Sequence, residues 1–200
     1  MSVGTTRAGA LSDTLDGMIL VLIGAVTAVV ALVLVDLLNL DHPVLNPIEH
    51  MVSYFVHGRA GWLVAVVGLS IALAAFALVP HLRRRVAVVV FGVGLLVAGL
   101  VPTQPYGQWD DQSLATIVHG IGGWAAFVAI PVAAWRLRRD APTWPGVVAA
   151  VLVVLLAAGT ADLMGDGPDH LGYVAGLVER LLVVAELTWL VLAARAVRRT

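Results

Sequence analysis

Cysteine and lysine are both missing from this chain. Without cysteine there are no disulfides, no thiolate metal sites and no cysteine nucleophile, and the compartment is left open. All twelve basic residues are arginine, which reads as a coding bias and not as a functional signature. Charge of either sign is scarce: 12% of residues carry it, about half the usual share of a soluble domain. The net charge of −1 offers no footprint for nucleic acid. Also absent are a Gly-rich phosphate loop, a nucleophile elbow and an HExxH motif, and nothing in the sequence calls for a metal or a cofactor. What fills the space is apolar: 60% of residues are hydrophobic. A chain of this size keeps too much of its surface exposed to hide that fraction from water, so the lipid bilayer is its natural solvent and the one partner that composition demands.

The apolar residues fall into six segments, roughly 18–38, 61–79, 86–101, 114–135, 147–164 and 171–194. About 20 helical residues cross a hydrocarbon core of ~30 Å, and most of the segments meet that length. The run at 86–101 is short, and Pro131 lies inside the fourth, where a kink is expected. The first segment is too long for a cleavable signal peptide and reads as a retained span. Arginine clusters follow the second, fourth and sixth spans (Arg83–Arg85; Arg136, Arg138 and Arg139; Arg195, Arg198 and Arg199), whereas the alternate connections hold only Arg59. By the positive-inside rule both termini are cytoplasmic. The expected fold is therefore an all-α, polytopic membrane bundle of six transmembrane helices in the cell membrane, N-in and C-in. Residues 1–17 would form a cytoplasmic segment, 18–197 a single transmembrane domain, and 195–200 a basic cytoplasmic tail.

Oriented this way, the polar residues collect outside. His42, His50, His57 and His170 lie in or beside outer connections, with His119 about one and a half turns into the fourth span. Acidic residues gather where arginine is excluded, which accounts for Asp110, Asp111, Asp166 and Asp169. The first outer connection is more specific. Asn46 is a good N-cap, Pro47 suits the first helical position, Glu49 completes a capping-box-like start and Gly58 a stop. This predicts a short interfacial helix over 47–57, with Ile48, Met51, Val52, Phe55 and Val56 on its apolar face. Its other face carries Glu49, His50, Ser53, Tyr54 and His57. Such a helix either lids a pocket, offering Glu49, His50, Ser53 and His57 to a ligand, or simply wets its polar face. His50 and His57 supply two imidazoles, but spacing fixes no third metal ligand. Serine beside histidine does not make a triad without geometry.

The sixth span holds Glu179, Arg180 and Glu186 within an otherwise apolar helix. Charges at mid-membrane cost about 2.5–3.5 kcal/mol on insertion scales and normally face partners or a cavity. Glu179 is about 12 Å deep and His119 about 8 Å deep at the helical rise, so the two depths agree. Gly172, Gly176, Glu179, Val183 and Glu186 form one stripe, and Gly120, Gly123, Gly172 and Gly176 suggest close approach of spans four and six. Arg180, rotated about 100° from Glu179, needs another partner: Asp162, Glu49 or a bound anion. The cluster of His119, Glu179 and Arg180 is either a site or an ion-pair network that clips the bundle together.

Three stretches resemble the membrane proteins grouped as domain of unknown function 998. They are HPVLNPIEHMVSYFVHGRAGWL, GLVPTQPYGQ with TIVHGIGG, and GLVERLLVVAELTWL. The resemblance covers nearly the whole chain and implies a six-helix membrane fold, with no activity attached. Gln104 stands where that family often has aspartate. Glu49 with Ser53 is similar, more distantly, to the first motif of membrane hydrolases that include alkaline ceramidases, with His119 standing for one zinc histidine. The paired histidines of their last helices are absent, and Glu179 and Glu186 occupy that region.

Three functions fit these residues. The first is a protein binding a lipid or amphipathic small molecule in an outward-facing polar pocket, with Glu49, His50, Ser53, His57 and Asp162 as ligand contacts. The second is a membrane enzyme in which His119 and Glu179 do acid–base work and Arg180 holds an anionic group. The third is a small proton-linked transporter.

Topology can be checked directly. Reporter fusions at Asp140 and at the C-terminus should read cytoplasm, and fusions at Gln108 and Gly167 should read outside. An outside signal at Arg83–Arg85 would overturn the arrangement.

Overall fold

A backbone in an apolar medium must bond its own N–H and C=O groups, and long runs of Leu, Val and Ala without proline do so as helices. The computed structural model describes residues 4–107, 112–164 and 172–198. It contains six long helices: α1 (Gly4–Leu38), α2 (Trp62–Leu78), α3 (Val86–Leu100), α4 (Leu114–Arg136), α5 (Trp144–Met164) and α6 (Ala175–Val197). Short 3-10 turns occur at Val52–His57, Val79–His81 and Gly172–Val174. No strand occurs among the described residues. His170 and the acidic pairs Asp110–Asp111 and Asp166–Asp169 lie outside the described residues.

Five helices follow the apolar segments of the sequence closely. α1 is the exception, because it begins at Gly4 and runs through most of the polar 1–17 segment expected to stand apart. No proline interrupts it, and at the helical rise it extends about 52 Å. α4 continues through Pro131, its first turn capped by the Ser113 hydroxyl, which accepts from the Thr116 N–H.

Among the described residues, four helical stretches are long and apolar enough to cross a membrane: Asp16–Leu38, Trp62–His81, Leu114–Arg136 and Trp144–Asp162. α3 is apolar but about 22 Å long, and in α6 the apolar run is broken by Glu179, Arg180 and Glu186. The outward faces are themselves apolar: Ile23 and Val26 of α1, Ile121 of α4 and Val154 of α5 are all exposed. A surface of this kind suits acyl chains and not water.

Each helix packs against its successor, and α6 returns to pack on α1, closing a ring. A bidentate ion pair fastens that closure. Arg180 Nε and Nη2 donate to Asp36 Oδ2 and Oδ1 at 2.8 and 2.6 Å, joining α6 to the last turns of α1. The remaining donor, Nη1, reaches the carbonyls of Gly176 at 2.9 Å and His50 at 3.0 Å, and the guanidinium lies over the Phe55 ring. Asp36 is thus the partner that Arg180 required, in place of Asp162 or Glu49. It lies 144 positions away in sequence, where helical spacing gives no guidance.

The connection between α1 and α2 is tied down at both ends. The fully buried Asn39 donates to the carbonyls of Val35 and Arg59 and accepts from the Arg59 N–H. A Cβ on Gly58 would meet Asn39 Oδ1 at 2.4 Å. Gly58 has φ −89°, so it is there for room and not for the left-handed turn its stop position suggested. Further along, the N–H groups of Gly176 and Leu177 at the start of α6 donate to the carbonyls of Glu49 and Ile48. A Cβ on Gly176 would meet the His50 carbonyl at 2.4 Å. Its close approach is therefore to the first connection and not to α4.

The Arg180 and Asp36 side chains are 11% and 22% exposed, so removing one leaves the other charge buried alone. Asp36→Ala should cost about 3 kcal/mol of stability, measured by unfolding in detergent, and adding Arg180→Met should recover part of the loss. A single-mutant cost below about 0.5 kcal/mol would show that the pair does not hold the ring.

Candidate functional site

The chain from Asn46 to His57 was expected as one helix, and it is two pieces. The first is a turn in which the Asn46 side chain accepts from the Ile48 N–H and the Asn46 carbonyl from the His50 N–H. Met51 is then extended, with ψ 150°, and a 3-10 turn follows over Val52–His57. The cause lies on α6. The Val52 N–H, which a continuous helix would direct to residue 48, donates instead to Glu179 Oε2 at 2.5 Å. That bond satisfies the buried Val52 N–H in place of the helical ladder, so the helix need not continue through Met51.

The break redistributes the faces. Phe55 and Val52 are buried, as an apolar face requires, while Ile48 is exposed. His50 turns inward and is 5% exposed. Its Nδ1 accepts from the Asn46 N–H, and its ring meets Tyr106 edge to face at 4.1 Å. Burial holds the His50 imidazole below its usual range, against the pull of the Asn46 bond and Glu49, with Arg180 adding to the lowering. Tyr54 is pushed up to about 12 by burial, with Glu179 and Tyr106 contributing, so it stays a neutral phenol. His57 is exposed, its Nε2 donating to the Thr103 carbonyl at 2.7 Å.

Beneath the 3-10 turn lies a cavity of about 370 Å³, within the ~300–1,000 Å³ of small-molecule sites. Its walls come from α2 to α6 and are mostly apolar, among them Val67, Leu95, Phe127 and Leu156. Polar groups on its wall include Ser53, Tyr54, Gln104, Thr116, His119 and Glu179. Gly120 and Gly123 face open space, with nothing within 4 Å of a Cβ built on either. They therefore widen the cavity, where the sequence suggested that they draw α4 onto α6.

His119 Nδ1 donates to the carbonyl of Val101, just past the end of α3, at 2.7 Å. In the neutral ring this leaves Nε2 as an acceptor. Glu179 is 7% exposed. Its Oε2 accepts the Val52 N–H.

The structure thus brings His119, Glu179 and Ser53 to one cavity. Arg180 lies outside it, engaged by Asp36. Glu49, His50, His57 and Asp162 do not line it either. The sequence reading missed Gln104 and Thr116 as cavity groups. Thr116 accepts the Gln104 N–H at 3.0 Å and donates to its side-chain oxygen at 3.3 Å. Stepping outward from His119 at helical intervals would have reached Thr116, Gly123 and Phe127, which share its side of α4.

No curated protein and no solved structure matches the chain. Among known families, residues 22–196 match the one described as Protein of unknown function (DUF998). The match spans every helix that builds the cavity, from α2 to α6. On that match the chain belongs to the DUF998 family.

Proposed function

We propose that this is a six-span protein of the cell membrane, with both termini cytoplasmic, that binds a lipid or amphipathic small molecule in a pocket facing outward. One observation carries the reading: a cavity inside the helix ring is apolar along its walls and polar where Ser53, Tyr54, His119 and Glu179 meet it. An amphiphile has the same division, with a tail for the walls and a head for the polar end. Orientation rests on the arginine clusters, which place the 46–57 connection outside. α6 counts as a span because its charged residues are turned inward: Glu179 and Glu186 are buried and Arg180 is paired with Asp36.

A catalytic reading draws on His119 and Glu179 sharing the cavity wall. In it, His119 Nε2 is the natural proton acceptor and Glu179 its partner in acid–base work. The anion-holding role first given to Arg180 has no support, because that guanidinium is occupied by Asp36 and two carbonyls. Proton-linked transport would require a polar path beyond Glu186, whose buried carboxylate has no hydrogen-bond partner among the described residues.

Filling the cavity tests the binding reading. Gly120→Leu and Gly123→Leu introduce side chains into open space and replace glycine with a better helix former, so stability should hold or rise by up to about 1 kcal/mol. Amphiphile carried through purification, measured by native mass spectrometry, should fall at least about tenfold relative to the unaltered protein. Undiminished ligand in a folded, cavity-filled variant would overturn the reading.

A further inference from the structure

The head group that such a pocket accepts depends on the charged and polar groups around the cavity. Within the membrane-spanning part of α6, one arginine and two glutamates are available. The arginine is committed elsewhere, with Nε and Nη2 on Asp36 and Nη1 on the carbonyls of Gly176 and His50. Among the described residues no arginine lines the cavity, and Arg59 in the first connection pairs with Asp41 at the surface. An anionic head group would find no guanidinium to receive it.

The acceptors are placed the other way. Glu179 reaches the cavity wall with a carboxyl group whose two oxygens can accept more than the one bond from the Val52 N–H. His119 reaches the same wall with Nδ1 already donating to Val101, which leaves its second nitrogen as an acceptor. Ser53 and Thr116 add hydroxyls that donate or accept. A buried acceptor left without a donor is costly, and a second carboxylate beside Glu179 would have to share a proton with it or face a like charge in a poorly screened site.

From this geometry we infer that the pocket selects an amphiphile whose head donates hydrogen bonds and carries no negative charge, as an amine or hydroxyl does, with Glu179 as the selecting group. The inference rests on the pocket reading above and adds the ligand class to it.

The test compares three molecules with one tail and different heads: dodecylamine, dodecan-1-ol and dodecanoic acid. Each is titrated into the full-length protein in a zwitterionic detergent, and the Gly120→Leu protein serves as the blank for partition into micelles. Amine or alcohol should bind at least about tenfold more tightly than the acid. In Glu179→Gln, which keeps an oxygen for the Val52 N–H, the three should converge to within about threefold. Glu179→Asp keeps the carboxyl group and should keep the preference for donors, which covers the case in which the glutamine variant does not fold. Acid bound as tightly as amine and alcohol by the unaltered protein overturns the inference and leaves the pocket standing. A preference that survives in folded Glu179→Gln also overturns it, because another group is then selecting. If none of the three binds above the blank, the pocket reading falls and takes the inference with it.

Discussion

An arginine inside an apolar helix bundle must find an acid or enough carbonyls to replace water, and Arg180 finds both. Asp36 holds two of its nitrogens, and the third joins the start of α6 to the first connection. That one side chain therefore fixes where α6 lies against α1 and where residues 46–57 lie above α6. The cavity follows from these two placements, since its polar end is built from the connection and its floor includes α6. Buried ion pairs often add little net stability, and the larger effect of this one is on geometry.

Its neighbour Glu179 acts on the backbone directly. By taking the Val52 N–H it breaks the 47–57 segment at Met51 and brings the 3-10 turn down over the cavity. Pro47, Asn46 and Glu49 do start a helical turn, as their identities suggest. The local code wins for one turn and then yields to a carboxylate 127 positions away.

The division between what could be read in the sequence and what could not follows the range of the interactions. Helix positions, the membrane character and the unusual cost of Glu179 and Arg180 are local or compositional, and reading the chain was enough to reach them. His119 and Glu179 were legible as cavity groups because their depths agree along two helices. The partners were not. Nothing local tied Asp36 to Arg180, and Asn39 gave no signal at all, although it is fully buried and joins α1 to the start of α2. The glycines misled because a small residue permits both close approach and open space. Gly176 has the first and Gly120 the second, and sequence cannot distinguish them.

The Asn39 junction has a consequence for motion. By holding Val35 and Arg59 together it turns the chain between them into a loop with a closed neck, attached elsewhere to α6 and, through His57 and Thr103, to the connection after α3. A loop anchored in this way need not fray from its ends. If its bonds to α6 and to Thr103 let go, the segment can lift away on the Asn39 neck as a single cooperative unit while the six helices stay packed. Its amides would then exchange with solvent together, on a timescale separate from that of the bundle.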